Sequence, residues 1–149
     1  MDDNKDIRWK QRFHNFSRAY ALLRSAIEDR SVSELSELEQ EGVIQRFEYT
    51  FELGWKVLKD YLEYSGILLK EATARKVIKE CAAANIFSGA GINPGIYLDM
   101  MLARNTLSHN YDFEHFKKVI EKIKESYLSE LEKEYMYFLD KVIENDENA

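Results

Sequence analysis

Eleven consecutive residues, Leu102-Ala103-Arg104-Asn105-Thr106-Leu107-Ser108-His109-Asn110-Tyr111-Asp112, concentrate the side chains best suited to chemistry. Arg104, His109 and Tyr111 stand together where one helical pattern ends and the next begins. A guanidinium can grip a phosphate through two parallel N–H donors. Imidazole is the side chain that gives and takes protons near neutral pH. These two groups suffice to cleave RNA without a metal. One moves a proton at the 2′-hydroxyl or at the leaving oxygen, and the other neutralises charge gathering on phosphorus. Geometry sets a condition: five residues on an ideal helix turn through about 500°, leaving Arg104 and His109 about 140° apart. They converge only where the helix is distorted or has ended, or where two subunits each lend a pair. The plain alternative for the same stretch is capping, ion pairing and surface solvation.

Other chemistry-bearing residues favour structural roles. Cys81 sits in an alanine-rich helical stretch and reads as a small core residue rather than a nucleophile. His14, beside Phe13 and Phe16, reads as packing or surface. His109 and His115 are six apart, which matches neither a helical metal pair nor a Cys/His zinc spacing, so no metal site is expected. Gly89-Ala90-Gly91 is too short for a phosphate loop and lacks the following lysine, and no dinucleotide fingerprint or serine elbow is present. No cofactor is expected. The C-terminal glutamates and lysines read as a solvated helix face with pairs one turn apart.

The elements that must position these residues are helices. Six Gly and one Pro in the whole chain are too few for the frequent turns of a sheet, and Gly89, Gly91, Pro94 and Gly95 are bunched. Between positions 44 and 62, Ile44, Phe47, Phe51, Trp55, Leu58 and Leu62 recur at helical spacing, with a second stripe of Val43, Thr50, Leu53, Val57 and Tyr64. A helix apolar on two sides is central in a bundle or lies at a subunit interface. Five helical stretches are predicted: Ile7 to Arg30, Glu34 to Tyr64, Thr73 to Asn85, Pro94 to Ser108, and Phe113 to Glu144. Ser31 or Ser33 offers an N-cap for the second, and Ser36 with Glu39 is a further candidate capping box. Ser65-Gly66 ends it. Asn93-Pro94 opens the fourth stretch and Asp112 caps the last. The expectation is one all-α domain over 1–149, an up-down four-helix-type bundle with an additional short helix, frayed at about 1–6 and 145–149.

Charge narrows the partners. The net charge is −6 and the sequence pI about 5.2, so duplex DNA is not an expected ligand, and any RNA must meet a small local cleft or a partner's help. No apolar run approaches the roughly 18 residues of a membrane span. The opening Met1-Asp2-Asp3-Asn4-Lys5-Asp6 lacks a basic start and apolar middle, so no signal peptide is expected. With a single cysteine, these features point to the cytoplasm.

Arg104, His109 and Tyr111 resemble the R-x4-H-x-Y signature of HEPN domains. The run from Gly42 to Leu62, containing Gln45-Arg46-Phe47-Glu48-Tyr49-Thr50-Phe51-Glu52-Leu53-Gly54-Trp55, is similar to the second helix of one branch. That branch is the nucleotidyltransferase substrate-binding proteins, also described as HepT-like toxins. The similarity continues through Tyr97-Leu98-Asp99-Met100-Met101. The resemblance implies a homodimer with the two motifs in a shared cleft, and a minimal nucleotidyltransferase antitoxin as partner. It also implies metal-independent ribonuclease activity through Arg104 and His109, silenced by AMP transfer to Tyr111. An alternative it carries is a non-catalytic substrate-binding subunit of a two-component nucleotidyltransferase. Ala103 stands where relatives often place an acidic residue, so an auxiliary polar group must come from elsewhere: Glu48, Asp99, Asn105 and Asp112 are the candidates. Phe51 and Trp55 are read as core or subunit-interface residues.

Overall fold

The apolar stripes become helices throughout the computed structural model, which describes residues 3–109 and 111–147. Seven α-helices lie among the described residues, and no strand does: α1 (Asp3–Ile27), α2 (Glu37–Tyr64), α3 (Ala74–Ala83), α4 (Ile86–Ala90), α5 (Pro94–Leu107), α6 (Phe113–Lys122) and α7 (Leu128–Glu147). A 3₁₀ turn covers Val32–Glu34, and a five-residue π turn, Ile123–Tyr127, joins α6 to α7. Among the described residues no helix is long and apolar enough to cross a membrane.

Local chemistry explains most boundaries. Residues 3–6, expected to fray, are helical: Asp3 and Asp6 sit in the first turn, where negative charge suits the helix dipole, and Asp6 accepts from Trp9 Nε1 at 3.0 Å and Lys10 Nζ at 2.9 Å. The second helix starts at Glu37 rather than Glu34, because Ser36 and Glu39 form the complete capping box. Of the other N-cap candidates, Ser31 instead precedes the 3₁₀ turn and Ser33 lies within it. The C-terminus of α2 closes as a Schellman motif, with Ile67 N–H donating to Leu62 O and Gly66 at φ +91°. Thr73 caps α3 through Lys76 N. The stretch predicted to reach Asn85 stops at Ala83, since Asn85 takes a left-handed conformation (φ 63°) and starts the short α4. Asn93 Oδ1 accepts from Gly95 N and Ile96 N with Pro94 in the first turn, as predicted for the start of α5.

The last predicted helix is one run interrupted by the π turn. Ile123, Tyr127 and Leu131 are spaced by fours, a pattern that drifts about 40° per step on an ideal helix. The wider turn absorbs part of that drift and keeps all three buried.

Pairing directions follow from long-range contacts. Early α1 meets late α2 where Arg12 Nε donates to Asp60 Oδ2 at 3.1 Å, and late α1 meets early α2 where Arg46 Nη1 donates to Leu22 O at 2.8 Å. The two helices are therefore antiparallel. α7 returns along α1, stacking Tyr135 on Phe13 at 5.9 Å and packing Phe138 at a tilt against Trp9 at 5.7 Å. Both stripes of α2 are buried except Trp55 and Tyr64, which are half-buried. α2 touches α1, α3, α5 and α6, so its two-sided pattern reflects a central position. Cys81 is fully buried, and burial pushes its thiol pKa up, as suits a core residue.

Candidate functional site

α5 turns Tyr97, Met100, Met101 and Leu107 into the core. Arg104 falls between that face and solvent and lies half-buried against α2. Its Nη2 is 3.5 Å from Glu52 Oε2. Glu52 is held from three sides, since Trp55 Nε1 donates to Oε2 at 3.1 Å and Lys56 Nζ lies 3.2 Å from Oε1. Partial burial pulls the Glu52 pKa up. The Trp55 and Lys56 hydrogen bonds and the charges of Lys56 and Arg104 outweigh it and hold the carboxyl below its ordinary value. Arg104 Nε is sealed from water yet has no hydrogen-bond partner among the described residues. A buried donor left empty in this way is costly and calls for an acceptor.

Two grooves meet at the Arg104–Glu52 pair. The larger, about 710 Å³, runs along α2 past Gln45, Arg46, Glu48 and Tyr49. The smaller, about 350 Å³, lies between α2, α5 and the start of α3, with Phe51, Trp55, Arg75 and Asn105 on its walls.

The helix ends before His109, so the angular offset of an ideal helix does not govern that residue. Its backbone N–H donates to Thr106 O at 3.2 Å, closing the turn after α5, and its imidazole is exposed without a hydrogen bond among the described residues. Arg104 and His109 share no contact there. His115 instead reaches back to α5. Thr106 Oγ1 spends its proton on Ala103 O at 2.6 Å, so His115 Nε2 is the donor in their 2.8 Å bond. Tyr111 is 75% exposed, the highest value of any tyrosine described, and its ring stands edge-on to Phe116 at 5.3 Å. The Glu41 carboxylate beside its hydroxyl raises its pKa. Asn110 lies outside the described residues.

The auxiliary candidates separate cleanly. Asp112 caps α6 by accepting from Glu114 N at 3.0 Å. Asp99 faces the π turn, where Tyr127 Oη donates to it at 2.5 Å and Lys122 Nζ lies 3.7 Å away, so it lines neither groove. Glu48 shares the larger groove with Arg104, and Asn105 the smaller one. The carboxylate that actually meets Arg104 is Glu52, which the sequence reading passed over. Its signal was its place one turn beyond Glu48 on the same helix, three residues before Trp55. Among the described residues no three His, Cys, Asp or Glu side chains gather as a metal site.

The chain matches the family described as nucleotidyltransferase substrate binding protein like over residues 11–138. It belongs to that family. No individual curated protein matches it.

Proposed function

We propose that this chain is the RNA-cleaving, toxin component of a two-component module whose partner is a minimal nucleotidyltransferase. The observation that carries this reading is the Arg104 guanidinium, anchored by Glu52, with a sealed Nε that has no partner among the described residues, five residues before an exposed imidazole. In this reading the helices form an up-down bundle, and two copies pair about a C2 axis so that their Arg104 and His109 groups face one cleft. A single chain does not join those groups, and a composite cleft supplies what it lacks.

The chemistry is phosphoryl transfer without a metal. His109 takes the 2′-hydroxyl proton as that oxygen bonds to phosphorus and the bond to the 5′-oxygen breaks. The leaving oxygen takes a proton from water or from the second imidazole. Arg104 neutralises the charge that builds on the non-bridging oxygens. The products are a 2′,3′-cyclic phosphate and a 5′-hydroxyl. Labelled RNA incubated with the protein in EDTA should be cut, and Arg104→Ala or His109→Ala should lower the rate about 10²–10⁴-fold. Loss of cutting in EDTA with recovery in Mg²⁺ would overturn the mechanism.

The family match supports a second reading, a non-catalytic subunit that presents a substrate to a nucleotidyltransferase. A protein that binds nucleotide, cuts no RNA and raises its partner's transfer rate would establish that reading instead.

A further inference from the structure

We propose that the groove between α2, α5 and the start of α3 is a nucleotide subsite, with Arg75 and Arg104 on the phosphate and the Trp55 ring on the base. The proposal deepens the ribonuclease reading, on which its RNA form rests.

Charge is the first argument. Arg75 is exposed and has neither a carboxylate nor a hydrogen bond among the described residues, yet it lines the same groove as Arg104. Two guanidinium groups on one small groove create a field that favours an anion. Glu52 does not cancel it, because Lys56 and Arg104 both pair with that carboxylate. The next residue, Lys76, pairs with Glu71 at 2.8 Å, and Lys79 and Glu80 line a separate groove, so among the described residues Arg75 is the free cation that α3 brings to this one. A chain of net charge −6 thus places two arginines, one of them without an acidic partner among the described residues, on one small groove. This is the local basic site that an acidic protein needs for a phosphorylated ligand.

Shape and polarity are the second argument. The volume, about 350 Å³, falls at the low end of small-ligand sites. Trp55 spends its indole N–H on Glu52 and is half-buried, so it offers the groove ring surface rather than a donor. Every base has a face that stacks on such a surface. Lys56 Nζ lies 5.9 Å from the Trp55 ring centroid and adds positive charge beside it. The Asn105 amide makes no hydrogen bond among the described residues and stands at the rim, free to meet a base edge or ribose.

Tryptophan emission tests the idea directly. The chain has two tryptophans; Trp9 is wholly buried in the core and Trp55 is at the groove, so a ligand-dependent change reports on the groove. The probes are AMP and an uncleavable 2′-O-methyl pentanucleotide. A saturable change is expected with at least one: AMP identifies a free nucleotide as the ligand, and the oligonucleotide alone identifies a nucleotide within RNA. Arg75→Ala should weaken binding at least tenfold, and Arg75→Lys less, because it keeps charge but loses the planar fork. No saturable change with either probe, or equal affinity in Arg75→Ala, overturns the subsite. Ribonuclease assays separate the two ideas. A cleaving protein whose KM is unmoved by Arg75→Ala overturns the subsite and leaves the ribonuclease reading standing. AMP binding weakened by Arg75→Ala in a protein that cuts nothing supports the subsite and removes the ribonuclease reading.

Discussion

Arg104 is tied to Glu52 on the neighbouring helix, not to His109 five residues ahead of it. The 3.5 Å approach of Nη2 to Oε2 fixes the guanidinium against α2 within one chain. Its depressed pKa keeps Glu52 ionised into the acid range, so this anchor is present at neutral pH and weakens only as pH falls through the lowered value. The arginine is placed by packed helices, whereas the histidine is placed by a turn.

Replacing Glu52 with Gln should therefore split the kinetic constants. Gln keeps an oxygen to accept from Trp55 but removes the negative charge beside Arg104. Substrate phosphate then competes with no carboxylate, and KM for RNA should fall. The guanidinium loses its fixed position, and kcat should fall about tenfold, within the cost of small misplacements. Equal KM and kcat for the variant and the parent would show that the pair has no part in the reaction.

Gly54 lies inside α2 where a Cβ would stand 3.1 Å from Phe16 Cε1, 3.1 Å from Tyr97 Oη and 3.2 Å from Glu134 Oε1. Phe16, Tyr97 and Glu134 are all fully buried, and Tyr97 Oη donates to Glu134 Oε1 at 2.7 Å, so none can withdraw freely. Gly54→Ala gains up to about 1 kcal/mol of helix propensity but overpacks the site by about 1–3 kcal/mol. A lower urea midpoint at unchanged slope is the expected result, and a higher midpoint would show that the core yields.

Much of this was legible in the chain because single residues dictate it. Asn93-Pro94, Asp112 and Ser65-Gly66 fix helix ends by local hydrogen bonding, and Ile44, Phe47 and Leu58 declare their face by period. What escaped depends on encounters between distant segments. Asp99 and Glu52 look equally available in the sequence. Only the packing of α5 against both α2 and the π turn sends Asp99 to Tyr127 and Arg104 to Glu52. The π turn itself was hidden because its apolar residues fit an uninterrupted helix almost as well. Glu134 gave no sign either, as a glutamate among glutamates and lysines reads as surface.

Glu134 is fully buried, and only one of its oxygens has a partner, the hydroxyl of Tyr97. Burial raises its pKa well above the ordinary value, although the Tyr97 hydrogen bond opposes the shift. The folded state thus holds a proton that the unfolded chain releases above its own carboxylate pKa. The associated stability is complete below that unfolded value and is lost as pH rises toward the folded one. Glu134→Gln cannot titrate, so the stability of the variant relative to the parent should grow with pH across the mildly acidic to neutral range. Denaturant melts at several pH values measure it, and a pH-independent difference would mean that Glu134 is ionised in the core.

Tyr111 is the expected acceptor for the partner's nucleotidyl group. Its phenol is exposed, and its ring rests edge-on against Phe113 and Phe116 without entering the core. The Glu41 carboxylate raises its pKa, so the phenol is neutral at neutral pH and needs a base in order to react. The proposed base is Glu41, the carboxylate that raises the phenol's pKa. As the phenolic oxygen bonds to the α-phosphorus of a nucleoside triphosphate, the α–β bond breaks, pyrophosphate leaves and the proton passes to Glu41. The resulting phosphodiester lies two residues beyond His109, where it can occupy the place of an RNA phosphate and pair with Arg104. Tyr111→Phe should keep the fold, losing only an exposed hydroxyl, and should escape modification by the co-expressed partner. Glu41→Gln should slow modification by up to about 10²-fold while leaving RNA cleavage by the unmodified protein unchanged. Intact-mass measurement reads both variants. An adenylyl mass on the Tyr111→Phe protein would place the acceptor elsewhere and remove the switch.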